Sequence, residues 1–205
     1  FGISKFLITQ SNCAVKLHPI PLHLGVESNI FKLSSISKLS NIVFIGSLIK
    51  RKNLDAILDI AKEFSTLNFH IIGDGELRKE LELRATDNVI FYGKLTHNKL
   101  AGILSNMDLH LLLSKSEGFP KVILETASAG VPSMVYNDYG AEEWINTNKN
   151  GFILGNKDEV VAKIKELIDN PELLISNAKE ALKLAEQFSW TVQIKQWEKT
   201  ITNLK

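Results

Sequence analysis

The sequence predicts an α/β fold of three layers, in which helices cover both faces of a mainly parallel sheet of about six strands. Three observations lead to this class. Short apolar runs alternate with longer amphipathic segments. The loops between them are short, which is typical of parallel strands joined by helices. Finally, glycines follow one predicted strand after another, at Gly46, Gly73, Gly75, Gly93, Gly118 and Gly140.

The first regular part of the chain begins at Asn41. Apolar runs that stop at a glycine predict strands at 42–45, 69–72 and 89–92. Helices are predicted at 53–64, 76–85 and 97–105. The helix at 53–64 has apolar residues at helical spacing, namely Leu54, Ile57, Leu58 and Ala61.

The second part repeats the alternation. Strands are predicted at 108–113, 133–136 and 151–154. A helix starts at Pro120 and ends before Gly130, because Pro is favoured in a first helical turn and Gly after the last one. Further helices are predicted at 141–145, 159–169, 171–188 and 190–204.

Composition limits the classes of function. The chain has 205 residues, 44% of them hydrophobic, and its 24 Lys and Arg nearly balance 23 Asp and Glu. This balance gives no net positive electrostatic field of the kind that binds nucleic acid. The single Cys13 excludes an internal disulfide and suits a reducing compartment, and no apolar run has the length of a membrane span. Because residue 1 is Phe, the chain is interpreted as a piece of a longer protein.

The segment 116–125 carries the main functional signal. It follows an apolar strand and contains Gly118 and then Pro120. A strand, a glycine turn and a helix start form a geometry that binds anions through free backbone N–H groups. Glu117 and Glu125 add two carboxylates, which accept hydrogen bonds from hydroxyl groups. A nucleotide-sugar has both phosphate and hydroxyl groups and suits this segment; the alternative is a pair of solvated, structural glutamates.

A basic segment follows the first strand. Lys50, Arg51 and Lys52 stand at the turn into the next helix, where they would meet a diphosphate in the crevice. A solvated basic loop is the alternative interpretation. The chain has no Gly-x-Gly-x-x-Gly motif and no P-loop, which argues against a nicotinamide dehydrogenase and an ATPase.

Motifs for a metal or a nucleophile are missing from the sequence. No two aspartates stand two residues apart, and the five histidines have no metal-ligand spacing. His70 and His110 fall inside predicted strands as core or crevice-lining residues. The sequence context of Ser114, Ser116 and Ser128 does not match a nucleophile elbow. We therefore expect neither a metal nor a cofactor.

In this order the motifs resemble the retaining glycosyltransferases of the GT-B fold, family 4, also called group 1. The resemblance covers about residues 22–200, and its strong element is Glu117-x7-Glu125 in the context Ser-Lys-Ser-Glu-Gly-Phe-Pro-Lys-Val-Ile-Leu-Glu. Weaker matches are Gly25-Val26-Glu27 with Phe31, and residues 46–53, 73–78, 89–95, 129–132, 150–152 and 188–190. The resemblance implies two Rossmann-like halves, of which this chain is the C-terminal, donor-binding one.

The resemblance also implies roles for individual residues. Lys52 and Arg51 would hold the diphosphate, Glu117 would meet the donor sugar, and these three are the predicted catalytic residues. Glu125 would bind the ribose hydroxyls, and residues 75–78 and 93–95 would frame the base. The implied donor-binding set is Gly46, Ser47, Lys52, Gly75, Gly93, Leu95, Glu117, Gly118, Phe119, Pro120, Lys121, Val122 and Glu125.

Two positions depart from the family pattern. Ser47 stands where the family often has Arg, so phosphate binding would depend on residues 50–52. Beyond Tyr139 the spacing to the usual acidic residue is one shorter, which leaves Glu142 and Glu143 as alternatives.

The implied reaction is metal-independent transfer of a sugar from a nucleoside diphosphate, with UDP-sugar favoured over GDP-sugar, to a glycan or lipid-linked acceptor. Residues 1–40 would be a linker or lead-in from a missing N-terminal domain, and 41–187 would be the Rossmann-like nucleotide-sugar-binding domain. Residues 188–205 would form a helix that packs on this domain or on the missing half. The acceptor would bind through the missing domain, so the chain alone is expected to bind nucleotide weakly and transfer little or no sugar.

Other functions remain open at this level. A GT-B nucleotide-sugar epimerase or a phosphorylase-like relative would share the fold, although no motif identifies the lysine that a phosphorylase needs for pyridoxal. A non-enzymatic module could hold a partner protein through its crevice and the terminal helix with Trp190 and Trp197, for which packing is the simpler interpretation. We expect no nucleic-acid partner and a cytoplasmic location. Contact with the inner face of the membrane would involve only parts of the full-length protein that are absent here.

Overall fold

The centre of the fold is a six-stranded parallel sheet. The structure is a computed structural model that describes residues 3–10 and 20–203. Its strands are β1 Asn41–Ile45, β2 Asn68–Ile72, β3 Val89–Gly93, β4 Leu109–Leu112, β5 Ser133–Tyr136 and β6 Gly151–Leu154. They lie in the order β3-β2-β1-β4-β5-β6, and every neighbouring pair is parallel. The predicted α/β class and the six strands are therefore confirmed.

The helices follow the predicted alternation. They are α1 Lys5–Gln10, α2 Leu54–Glu63, α3 Arg78–Arg84, α4 His97–Leu104, α5 Lys121–Ser128, α6 Lys157–Asp169, α7 Pro171–Gln187 and α8 Trp190–Thr202. Short 3-10 turns occupy Ser28–Ile30, Lys50–Lys52 and Ala141–Glu143. α1 had no counterpart in the sequence analysis, which left the start of the chain without regular structure.

The predicted helix at 141–145 is wrong in type, because this segment is a single 3-10 turn. The side-chain amide of Asn150 donates to the Trp144 carbonyl at 3.0 Å. Its carbonyl oxygen accepts from the backbone N–H of Asn146 at 2.7 Å. These two bonds use backbone groups that a continuing helix would need, so the chain turns toward β6 instead.

The sheet has a helical layer on each face. The crossovers through α2 and α3 run from β1 toward β3, whereas the crossover through α5 runs from β4 toward β5. Since parallel crossovers are right-handed, opposite directions place these helices on opposite faces. α6 packs beside α2 and α7 beside α5. The strands buried between the two layers are nearly continuous apolar runs, as a parallel sheet requires.

The ends of the domain lie side by side. Val26 forms a parallel bridge with Ser189, and its N–H donates to the Phe188 carbonyl at 2.9 Å. Phe31 and Leu39 from the same lead-in are buried in the core. In α8, the indole N–H of Trp197 donates to the His23 carbonyl at 2.9 Å, and the Trp190 and Trp197 rings meet edge to face. Residues 1–2 and 11–19 of the predicted lead-in, including Cys13, and the predicted helix end at Leu204 lie outside the described residues.

Within residues 3–10 and 20–203, no helix combines the length and the apolar character needed to span a membrane.

Gly73 occupies a position that tolerates no side chain. Its φ is +136°, and an added Cβ would lie 1.8 Å from the Gly46 carbonyl oxygen. We expect Gly73→Ala to lower the free energy of unfolding by about 3 kcal/mol or more, measured by urea denaturation. The control is Gly102→Ala in α4, where nothing lies within 4 Å of the new methyl group. That change is expected to stabilise the helix by about 0.5–1 kcal/mol. Equal stability of the two variants would contradict the close approach of the two loops.

Candidate functional site

The candidate site lies where the strand order of the sheet reverses. β1 neighbours β2 on one side and β4 on the other, so the loops after β1 and β4 leave in opposite directions. In open parallel sheets this divergence leaves a crevice at the carboxyl ends of the strands, where ligands bind. The two predicted functional segments, 50–52 and 116–125, follow β1 and β4 respectively.

The loop after β1 delivers a buried lysine to this crevice. The 3-10 turn Lys50–Lys52 ends at Asn53, whose left-handed backbone (φ 55°) redirects the chain into α2. Lys52 is 8% exposed, an unusual burial for a charged residue. The backbone N–H of Lys115 donates to the Arg51 carbonyl at 3.1 Å, which ties this loop to the one after β4.

Glu117 is the counter-charge of the two cations. The Lys52 ammonium donates to its Oε1 at 2.5 Å, and Arg51 Nη1 lies 3.1 Å from its Oε2. Arg51 also donates to the Ser116 carbonyl. Burial alone would raise the pKa of Glu117, but its hydrogen bonds and the charge of Lys52 outweigh burial and hold this pKa below its ordinary value. The site therefore contains an ionised carboxylate between two cations.

The helix start beside this pair adds an anion-binding element. α5 begins directly after Pro120, whose carbonyl accepts from the Ile123 N–H at 2.9 Å. The first N–H groups of an α-helix have no partner inside the helix, and the helix dipole adds positive potential there. Lys121 and Val122, both predicted donor-binding residues, form this first turn.

The second predicted glutamate has a different partner. Glu125 is buried in α5, and its Oε1 lies 3.1 Å from Nε2 of His97 at the start of α4. No sequence signal pointed to His97, because a polar residue in the first turn of a helix is common. Phe31 was quoted in the family resemblance, and its ring meets His97 edge to face at 5.9 Å.

A cleft of ≈ 340 Å³ adjoins the carboxyl ends of β1, β2 and β3. Among its lining residues are the predicted Gly46, Ser47 and Leu95, together with Gly73, Asp74 and Lys94. Gly75 and Gly93, two more of the predicted glycines, lie beside the cleft in tight backbone positions. Gly75 packs against the backbone of Leu48, and Gly93 accepts a hydrogen bond from the Gly73 N–H at 2.9 Å.

Phe119 lies in an aromatic cluster at the turn before α5. Its ring stacks on His23 at 6.0 Å and meets Trp144 edge to face at 5.4 Å. Phe188 closes the cluster, 5.3 Å from His23. Burial lowers the pKa of His23, although the nearby Glu143 carboxylate works in the opposite direction. The cluster gives the Gly118 turn a rigid support.

The two acidic candidates near Tyr139 both line a cavity of ≈ 450 Å³ between residues 142–150 and α7. Glu143 also accepts a hydrogen bond from the Lys5 N–H at 2.8 Å and lies 3.8 Å from His23, close to the aromatic cluster. This cavity is larger than the cleft beside β1, but its lining contains none of the predicted donor-binding residues.

Within the described ranges, 3–10 and 20–203, no three His, Cys, Asp or Glu side chains are grouped in a way that could hold a metal ion. Arg51 and Lys52 contribute positive charge at the crevice.

Comparison with known proteins agrees with the fold. A family model described as "Glycosyl transferases group 1" matches residues 26–186. A relative from Campylobacter jejuni, named as an α-1,4-N-acetyl-D-galactosaminyltransferase acting on an undecaprenol-diphosphate-linked glycan, is 32% identical across 93% of this chain and 55% of its own length. An uncharacterized glycosyltransferase of Methanocaldococcus jannaschii is 26% identical across 92% of this chain and 54% of its own length.

Solved structures show the same architecture. Anabaena HepE, solved with UDP-glucose, superposes with a TM-score of 0.79 at 20% identity, covering 90% of this chain and 57% of HepE. The lipopolysaccharide outer core galactosyltransferase WaaB, in its apo form, superposes with a TM-score of 0.78 at 20% identity, covering 91% and 56% respectively. The chain thus spans about half the length of the relatives that it matches.

Strand order and the position of the site define a Rossmann-like domain of the kind that forms one half of a GT-B fold. The family match covers most of this domain. The chain belongs to the group 1 glycosyltransferases.

Proposed function

We propose that this chain is the donor-binding half of a retaining glycosyltransferase that uses a nucleoside-diphosphate sugar. The observation that carries the proposal is the buried Lys52–Glu117 pair beside the start of α5, at the point where the strand order reverses. Two cations, one carboxylate and a helix N-terminus leave net positive potential at the crevice, which suits a diphosphate.

The same groups suit catalysis of transfer. Negative charge grows on the diphosphate as the bond to the sugar breaks. Fixed cations that meet this charge stabilise the transition state more than the ground state. Lys52 and Arg51 would supply that charge without a divalent cation, so we propose a metal-independent reaction. Glu117 would hold the cations in place and accept hydrogen bonds from the donor sugar.

The nucleoside would occupy the cleft next to the pair. Its apolar wall at Leu95 and Leu100 suits a planar base, and the Glu125 carboxylate can accept hydrogen bonds from ribose hydroxyls. We favour a UDP-sugar, because HepE was solved with UDP-glucose and the pneumococcal O-GlcNAc transferase GtfA with UDP and GlcNAc.

The acceptor would be a glycan or a lipid-linked glycan, as in the name of the Campylobacter jejuni relative. It would bind through a second half, since the relatives are about twice as long as the matched region. The lead-in 1–40, the core 41–187 and the terminal helix 188–205 are our proposed divisions of this chain. Alone, the chain would bind donor weakly and transfer little or no sugar.

Calorimetric titration of the chain with UDP, GDP and UDP-glucose tests the proposal. We expect UDP to bind more tightly than GDP, and EDTA to leave the binding unchanged. Glu125→Ala should weaken UDP binding about tenfold or more, because a hydrogen bond to a charged group contributes about 1.5–3 kcal/mol. The matched control is Glu172→Ala, an exposed glutamate in the first turn of α7, which should bind like the wild type. Failure of the wild type to bind any of the three nucleotides would overturn the proposal.

A further inference from the structure

Glu125 has a neighbour that none of the recognised motifs includes. His97 begins α4, and its Nε2 lies 3.1 Å from Oε1 of Glu125, although 28 residues separate the two in the sequence. An ionised carboxylate can only accept hydrogen bonds. Nε2 of His97 is therefore the hydrogen-bond donor and Oε1 the acceptor. This leaves Oε2 as the carboxylate oxygen that can accept a hydrogen bond from a ligand.

The lead-in segment holds His97 in place. The 3-10 turn Ser28–Ile30 packs against α5, the helix that carries Glu125. The next residue, Phe31, is 8% exposed. Its ring packs edge to face against the His97 imidazole, with an interplanar angle of 89°. The lead-in thus contacts both the His97 ring and the helix that carries Glu125.

The two glutamates of the site differ in how they are oriented. Glu117 is fixed by a lysine and an arginine, one on each oxygen. At Glu125 the side-chain partner is His97, which hydrogen-bonds one oxygen. A glutamate side chain has several rotatable bonds, and ordering it before the ligand arrives reduces the entropy lost on binding.

We propose that His97 is a positioning residue that aims the free oxygen of Glu125 at the ribose hydroxyls of the donor nucleotide. The inference rests on the proposed donor site and adds to it the residue that orients its nucleoside end. His97 acts through Glu125, so it affects only ligands that offer hydroxyl groups to that carboxylate.

The test compares UDP with 2′,3′-dideoxy-UDP, which lacks both hydroxyls, by titration of the chain. His97→Ala should weaken UDP binding about five- to tenfold, as expected for the loss of roughly one hydrogen bond, and leave dideoxy-UDP binding unchanged. His97→Gln should restore most of the UDP affinity, because its amide can donate in place of Nε2. The control is Asn98→Ala, an exposed neighbour in the same helix turn, which should behave like the wild type.

A double variant separates positioning from direct contact. With Glu125→Ala already in place, adding His97→Ala should have no further effect on UDP affinity, because the residue it orients is gone. Urea denaturation of each variant shows whether the fold survives. An equal loss for UDP and dideoxy-UDP in His97→Ala would overturn the inference, as would additive losses in the double variant. If the wild type distinguishes the two nucleotides and His97→Ala does so equally well, the inference fails and the donor site stands. If the wild type binds neither, both fail.

Discussion

Replacing Lys52 with Ala is expected to lower sugar transfer by the longer protein about 10²–10³-fold, the range observed when one fixed transition-state donor is removed. The loss should appear mainly in kcat, because the charge on the leaving diphosphate is largest in the transition state. Initial rates with a UDP-sugar, measured on a chain that contains both halves, check this.

The same variant should also be less stable. Lys52 and Glu117 are both about nine-tenths buried, and removing Lys52 leaves a buried carboxylate that Arg51 still partly compensates. Broken buried pairs typically lower the free energy of unfolding by about 3–5 kcal/mol, and the remaining arginine should reduce this loss. Urea denaturation measures it separately from activity. Glu117→Gln in the Lys52→Ala background should recover part of the stability and none of the activity.

Lys62→Ala provides the matched control. Lys62 is exposed in the last turn of α2, on the helix that directly follows the Lys50–Lys52 turn. Its loss should change neither the rate nor the stability by a measurable amount. Wild-type transfer by a folded Lys52→Ala variant would mean that the Lys52–Glu117 pair is purely structural and that the diphosphate is bound elsewhere.

Acid is expected to destabilise this domain through His110. This residue of β4 is fully buried, and its Nδ1 lies 2.9 Å from the Ser133 hydroxyl. Burial, helped by the charge of Lys52, lowers the pKa of His110 to about 3. The unfolded chain takes up this proton as the pH falls below about 6.5, whereas the folded protein stays neutral there. The stability from neutral His110 is therefore complete above pH 6.5 and is lost progressively between pH 6.5 and 3.

Between pH 7 and 5, His110 alone should remove about 2 kcal/mol from the free energy of unfolding. His70 and His23, whose pKa values burial also lowers, add to the same trend. His110→Leu should flatten the pH dependence by that amount, whatever it costs in packing at pH 8. Ser133 keeps Thr126 as a hydroxyl partner at 3.2 Å in this variant. Urea denaturation at several pH values gives the pH dependence of the free energy of unfolding for the wild type and for His110→Leu. The same dependence in both proteins would contradict a neutral buried His110.

The α/β class followed from local sequence because the strands are short apolar runs, and β1, β2 and β3 end at a glycine or directly before one. Gly73 shows why glycine stands there: its φ is +136°, and its backbone passes close to the Gly46 carbonyl oxygen. The 3-10 turn at Ala141–Glu143 was not predictable in this way. It depends on the Asn150 side chain, which competes for backbone groups from several residues away.

Half of the site was equally accessible from sequence. Lys52 and Glu117 each follow a strand, so both were expected at the same edge of the sheet, and the adjacency of β1 and β4 brings them into contact. The His97–Glu125 contact was not accessible. It depends on how α4 and α5 are placed relative to each other in the fold, and a polar residue at a helix start has no periodicity that would reveal the contact.

The bridge between Val26 and Ser189 has a consequence for protein engineering. It places the two ends of the unit 26–189 a single hydrogen bond apart, and the family match at 26–186 falls within the same limits. A unit whose ends adjoin can be inserted into a surface loop of another protein without stretching either junction. Its ends can also be joined by a short linker and new ends opened in an exposed loop such as 146–150.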